Sequence, residues 1–307
     1  MFTAIASYAM QGRWKASATT AVISVLAIIF PPLNYLASGV ISLTTLRMGP
    51  KEGVSVILST LVVFALLASF LVGQLWVAGL VLLTSWLPVF LATLTLGYSR
   101  SLAMALLTAS GIGMVVVLLL HLLIPDVTSW WQGMIEPFMA NLSLQPSWQL
   151  NAAETQALTA RLATMMTGLV AAGVCLNACL GLIIGRLWQS RLFNPGAFGQ
   201  EFKQLTLGKP AAVITAVLMV MAITPLKSSL ALLVDILPSM LVVFGLQGLA
   251  IVHAVVSIKQ KNKFWLVAIY VLLVIMLPQM IMVLAALGVI DQWFNLRARS
   301  EKSGTNI

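Results

Sequence analysis

Residues 53–99, GVSVILSTLVVFALLASFLVGQLWVAGLVLLTSWLPVFLATLTLGYS, contain no Asp, Glu, Lys or Arg. About 20 apolar residues cross a bilayer core, so this run is long enough to cross twice, with a turn at Gly73-Gln74. Its apolar residues do not alternate as barrel strands do. In lipid each segment must satisfy its own backbone polar groups, so the run reads as helix. The rest of the 307 residues is alike: 60% apolar, 8% charged, mean hydropathy +1.03. A soluble domain carries about 25% charged residues. The expected fold is all-α, a polytopic transmembrane helical bundle of about eight or nine hydrophobic helices at that length per crossing.

A charge at the bilayer centre costs roughly 2.5–3.5 kcal/mol, so charges mark helix ends. Residues 16–46 are uncharged, but Pro31 and Pro32 break the backbone ladder. This stretch is either one kinked span or a hairpin of two short half-spans. Further spans fall at 101–125, 162–185, 210–226, 228–258 and 264–290. Three polar segments separate or follow them: a loop at 126–160 with Trp130, Trp131, Glu136 and Glu154, a basic loop at 186–210, and a tail at 291–307. No repeat divides the chain, which reads as a single integral membrane domain over 1–307. The first residues, MFTAIASYAMQGRWK, lack a basic start and a small-residue cleavage site, and read as an amphipathic lead-in.

The positive-inside rule puts the basic segments in the cytoplasm and 126–160 outside. One conflict follows. If 264–290 crosses fully, the tail with Arg297, Arg299 and Lys302 emerges on the wrong side; either the run turns back near Pro278 or the tail is an exception to the rule.

The net charge of +9 comes from 17 Lys and Arg scattered between apolar runs, which suits topology and lipid contact rather than nucleic acid. Cys175 and Cys179 sit four apart in an apolar run and read as packing residues. There is no H-E-x-x-H, and although Lys209 follows Gly208, the earlier glycine of a phosphate loop is missing and Pro210 replaces its hydroxyl. The eight acids are dispersed. No catalytic residue, metal or cofactor is expected.

Intramembrane polar groups are the remaining candidates. Asn34 follows the proline pair, where a broken helix frees backbone groups. His253 lies about 9 Å along the helix from Lys259, inside the hydrocarbon, and Gln247 a similar distance further. Their six-residue spacing leaves them about 120° from alignment. By the same arithmetic His121 and Asp235 reach the outer surface and read as interfacial. Gly181 and Gly185, in GLVAAGVCLNACLGLIIG with Asn177, form the G-x-x-x-G spacing of close helix packing.

Four short motifs occur in order. They are Leu46-Arg47-Met48-Gly49-Pro50-Lys51-Glu52-Gly53; Phe193-Asn194-Pro195-Gly196-Ala197-Phe198-Gly199-Gln200-Glu201-Phe202 with Leu205, Leu207 and Gly208; Leu246-Gln247-Gly248-Leu249-Ala250-Ile251-Val252-His253; and Leu287-Gly288-Val289-Ile290-Asp291-Gln292-Trp293-Phe294-Asn295-Leu296-Arg297. Together they resemble the YybS-like bacterial membrane proteins, themselves similar to the S subunits of energy-coupling-factor vitamin transporters. The resemblance implies a multi-pass protein of the bacterial inner membrane that captures a small molecule near its outer face and leaves energy supply to other membrane proteins. On that expectation Asn34, Gln247 and His253 line a polar cavity, while Trp130 and Trp131 belong to its outer lid. The alternative is a scaffold or assembly factor that docks partners or lipid head groups through Phe193, Asn194, Pro195, Phe198 and Phe202. S subunits carry Ala-x-x-x-Ala on the first helix for docking; here the spacing is Ser17-x-x-x-Ala21.

Overall fold

The computed structural model describes residues 2–145, 149–225 and 230–304. Among them there is no strand. The helices are α1 (Phe2–Ala9), α2 (Arg13–Ile29), α3 (Asn34–Met48), α4 (Pro50–Val72), α5 (Trp76–Val81), α6 (Leu87–Ser99), α7 (Leu102–Leu123) and α8 (Val127–Ser143). They continue with α9 (Ala152–Phe193), α10 (Ala197–Lys203), α11 (Lys209–Ile223), α12 (Ala231–Ile258), α13 (Phe264–Ile275), α14 (Leu277–Phe294) and α15 (Leu296–Gly304). A 3-10 turn at Pro31–Leu33 joins α2 to α3, and a π segment at Leu82–Trp86 fuses α5 to α6.

Six of these runs are long and apolar enough to cross a membrane: Pro50–Leu71, Trp76–Ser99, Leu102–Leu123, Ala152–Phe193, Ala231–Ile258 and Leu277–Phe294. The expected count of eight or nine included 16–46, 210–226 and 264–290. Prolines divide the first and last of these into shorter helices, and α11 has only 15 residues. The proline pair makes a hairpin rather than a kink: Ala16 of α2 and Leu43 of α3, at the far ends of the two helices, share one buried cluster with Trp188. The turn at Gly73-Gln74 is where expected. Gly73 takes φ 73°, a left-handed helix end that glycine adopts without a Cβ penalty.

The 42-residue α9 is the mast, with α3, α6, α7, α8 and α12 packed around it. Small residues let the helices approach. A Cβ added to Gly181 or Gly185 would strike Ser38 or Ser42 of α3, and one on Gly39 would strike Ile184. The G-x-x-x-G spacing therefore serves packing between α9 and α3. Overpacking of this kind costs about 1–3 kcal/mol, so Gly185→Ala should lower the unfolding midpoint. Gly111→Ala, where an added Cβ meets nothing within 4 Å, should not.

Side-chain contacts bring the basic segments together at one end. The Arg47 guanidinium lies 4.2 Å from the Phe193 ring centre. Arg186 Nε donates to Glu201 at 2.9 Å and Lys203 Nζ to Ser257 at 2.8 Å. Arg297 reaches the backbone carbonyls of Lys203 and Leu205. The tail and the 186–210 segment therefore share an end. The chain achieves this by breaking at Met276, before Pro278, so that α13 turns into α14 and α14 returns beside α12. Among the described residues Arg161 alone of the Lys and Arg side chains lies at the opposite end.

The polar segments are more helical than their composition suggested. Most of 126–160 is α8 and the start of α9. The Asp126 carboxylate accepts from the Ser129 hydroxyl and N–H, which hold it below its ordinary pKa, and Asn151 with Glu154 forms a capping box on α9. The 186–210 loop shrinks to the joints around α10, and residues 291–307 hold the last turn of α14 and then α15.

Candidate functional site

At the end opposite the basic segments, α7, α8, α9, α11 and α12 enclose a cavity of about 540 Å³. Two helix breakers shape it. Pro238 interrupts α12 and deprives the Val234 carbonyl of its helical N–H partner. Gly168 of α9 lets α12 come close, since a Cβ there would lie 3.0 Å from the Asp235 carbonyl oxygen. His121 from the last turn of α7 and Asp235 from the first turns of α12 meet inside, Nε2 to Oδ2 at 3.5 Å. Their side chains are 22% and 14% exposed. The rest of the lining mixes Thr128, Thr164 and Thr167 with Val127, Ala163, Met165, Leu169 and Leu237.

Trp131 stands behind three of the lining residues, Val127, Ala163 and Thr167. Its ring is buried against Val127 and Ala163, and Nε1 donates to Thr167 Oγ1 at 3.0 Å. Trp130 packs edge-on against it at 4.6 Å and stays 39% exposed. The two tryptophans lie on a packed helix beside the cavity, behind its lining residues Val127 and Ala163 rather than in the lining itself.

Asn34 stands in a second polar cluster, across α9. Its Nδ2 donates to Ser85 Oγ at 2.8 Å and to Asn177 Oδ1 at 3.1 Å. Asn177 Nδ2 in turn donates to Ser38 Oγ and to the Ser85 carbonyl, each at 3.2 Å. The 3-10 turn and the π segment border this cluster, and a π segment commonly marks a functional position in a helix. An open cleft of about 430 Å³ adjoins it, lined by Pro31, Pro32, Tyr35, Thr84 and Gly173 among others.

Gln247 and His253 lie elsewhere. Gln247 is fully buried; Oε1 accepts from the Leu207 N–H and Nε2 donates to the Gly288 carbonyl, both at 2.8 Å. His253 Nε2 meets the Tyr270 hydroxyl at 2.9 Å, and its ring sits edge-on to Phe202. The structure therefore does not bring Asn34, Gln247 and His253 to one cavity. Phe202 is also internal, stacked with the half-buried Phe198 at 5.7 Å. Phe193, Asn194 and Pro195 are at the surface of the basic end. Ser17 and Ala21 are buried, and Ser17 Oγ bonds Ser59 of α4 at 2.7 Å, so this spacing is occupied within the chain.

The His121–Asp235 pair is what residue-by-residue reading missed. Helix arithmetic put both groups at the outer end, and that shared depth was the available signal. Their pairing depends on α7 and α12 being neighbours, which no local pattern encodes. No family model, curated protein or solved structure is matched by this chain.

Proposed function

We propose that the protein is a multi-pass protein of the bacterial inner membrane that captures a small molecule in the cavity between α7, α8, α9 and α12. The observation that carries this is the cavity itself: an apolar pocket holding one ionisable pair, at the end of the bundle away from the basic residues. Ligand sites are typically concave and mostly apolar, with a few convergent polar groups, at volumes of roughly 300–1,000 Å³. The positive-inside rule gives this end to the outer side. The motif resemblance to the YybS-like proteins, and through them to S subunits, supports the same reading. Energy then comes from separate membrane proteins, for which the exposed Phe193, Asn194 and Pro195 at the basic end are the docking candidates.

Those exposed residues also favour a second reading, a scaffold that docks partners and binds nothing in its cavity. Thermal unfolding of the purified chain against vitamins, their precursors and small amines separates the two. A captured ligand at about 100 times its Kd should stabilise the fold by about 2.7 kcal/mol. The shift should vanish when Thr164→Phe puts a bulky side chain into the cavity from an exposed lining position. No shift with any compound, together with co-purification of a membrane protein that is lost on Phe193→Ala, would replace capture by the scaffold.

A further inference from the structure

Asp235 is a largely buried carboxylate with an incomplete set of partners. Among the described residues no N–H or O–H forms a hydrogen bond to it, and its charged neighbour is His121 Nε2 at 3.5 Å. The other nitrogen of that ring fixes its tautomer. His121 Nδ1 lies 3.1 Å from the Val117 carbonyl oxygen, which can only accept, so Nδ1 carries a hydrogen. In a neutral imidazole Nε2 would then present a lone pair to the carboxylate oxygen, a repulsive arrangement. A proton held between Nε2 and the carboxylate oxygen removes that repulsion, so the empty pair carries one proton.

The surroundings favour positive charge. His121 and Asp235 are the titratable groups among the lining residues, and no Lys or Arg lines the cavity. At the rim, outside the lining, Asp126, the N-cap of α8, stands next to Val127, and Arg161 lies one turn of α9 before Thr164, so the two outer charges offset each other. Thr128, Thr164 and Thr167 contribute hydroxyl oxygens, and Val234, whose carbonyl Pro238 leaves without its helical partner, is in the lining too. An inorganic cation asks for several oxygens at short range, whereas this volume is walled largely by Val127, Ala163, Met165, Leu169 and Leu237. A carbon skeleton carrying one positive nitrogen suits both the walls and the charge.

We infer that the cavity takes a small organic cation, an ammonium or similarly charged nitrogen compound. On binding it becomes the counterion of Asp235, and the proton that the His121–Asp235 pair held leaves to water. This rests on the capture reading above. Capture becomes a one-for-one exchange of cation for proton, favoured as outside pH rises. His121 is a positioning residue that keeps the empty carboxylate neutralised, and Asp235 is the anchor.

The test uses the full-length chain in lipid nanodiscs with choline, agmatine, histamine and benzylamine. Each is set beside an uncharged analogue of the same shape, with benzoate and nicotinate as anions. A cation should raise the unfolding midpoint where its analogue does not, and mixing in weak buffer should release up to one proton per ligand bound, as the exchange requires. Asp235→Asn should weaken that cation by about tenfold or more, the scale of losing one charge-assisted contact. If Asp235→Asn does not fold, His121→Gln serves instead: binding should persist and proton release should disappear. Stabilisation by uncharged or anionic probes that Thr164→Phe abolishes would overturn the cation inference and leave capture standing. Silence from every probe would count against both.

Discussion

Arg297→Ala is expected to cost about 3–5 kcal/mol, the cost of breaking one side of a buried ion pair. Arg297 holds three oxygens at once. Nη1 donates to the Lys203 carbonyl at 2.8 Å, and Nη2 donates to the Leu205 carbonyl at 2.9 Å and to Asp291 Oδ2 at 2.8 Å. The Asp291 side chain is only 3% exposed, so truncating its partner leaves a carboxylate that water cannot reach. Its other oxygen keeps the Leu296 N–H at 2.7 Å, a single neutral donor against a full charge. Arg297→Lys should recover only part of the loss, because a point-charge ammonium cannot fork to two carbonyls and a carboxylate. Unfolding midpoints of the three proteins in one detergent check this, alongside limited proteolysis at the tail. A tail as protease-resistant in Arg297→Ala as in the parent chain would mean that α15 is held by something else.

Gln247→Leu is the second large effect. The side chain is fully buried and makes its two 2.8 Å bonds to backbone groups of different segments, the Leu207 N–H and the Gly288 carbonyl. Leucine approximates its volume and supplies neither bond. Each stranded backbone group then carries a desolvation cost of about 1–3 kcal/mol, so the sum is about 2–6 kcal/mol. Repacking cannot relieve this, because α12 and α14 already touch: a Cβ on Gly248 would run into the Leu284 carbonyl, and one on Gly288 into the Phe244 carbonyl. Gln247→Glu keeps one acceptor and buries a charge, and should be no milder. Hydrogen exchange at Leu207 gives the specific readout, with protection lost there before it is lost in α3 or α9. Unchanged protection at Leu207 would contradict this bond.

These two predictions concern one construction that runs through the basic end. Gln247 ties α12 to the segment before α11 and to α14, and Arg297 ties the same segment to the tail. The segments 193–208, 246–253 and 287–297 meet here. Their physical role in this chain is mutual anchoring, which also accounts for Gln247 lying away from any ligand cavity.

How far the sequence could be read varied with the kind of interaction. Apolar runs and charged boundaries placed the turn at Gly73-Gln74 and the helices within 101–125 and 162–185, because desolvation of charge is a local cost. The small-residue seam of Gly181 and Gly185 was legible for the same reason. Helix α8 was not, because its polar residues looked like a loop. The Asp126-to-Ser129 cap and the Asn151-to-Glu154 box were the available signs. The partners of Gln247 are backbone atoms, which leave no mark on residue type. The His121–Asp235 pair needed the tertiary arrangement of α7 against α12.

The central claim is that the bundle spans the membrane with its tail and 186–210 segment on one side and the cavity end on the other. Thiol labelling in intact cells tests it with little background, since Cys175 and Cys179 are both buried. Single cysteines at Ser143, Gln200 and Ser300 report on α8, α10 and α15. An impermeant maleimide should label Ser143→Cys in intact cells, and Gln200→Cys and Ser300→Cys only after the membrane is opened. Labelling of Ser300→Cys from outside while Gln200→Cys stays protected would contradict the account, because it would separate two segments that the Arg297 contacts hold together.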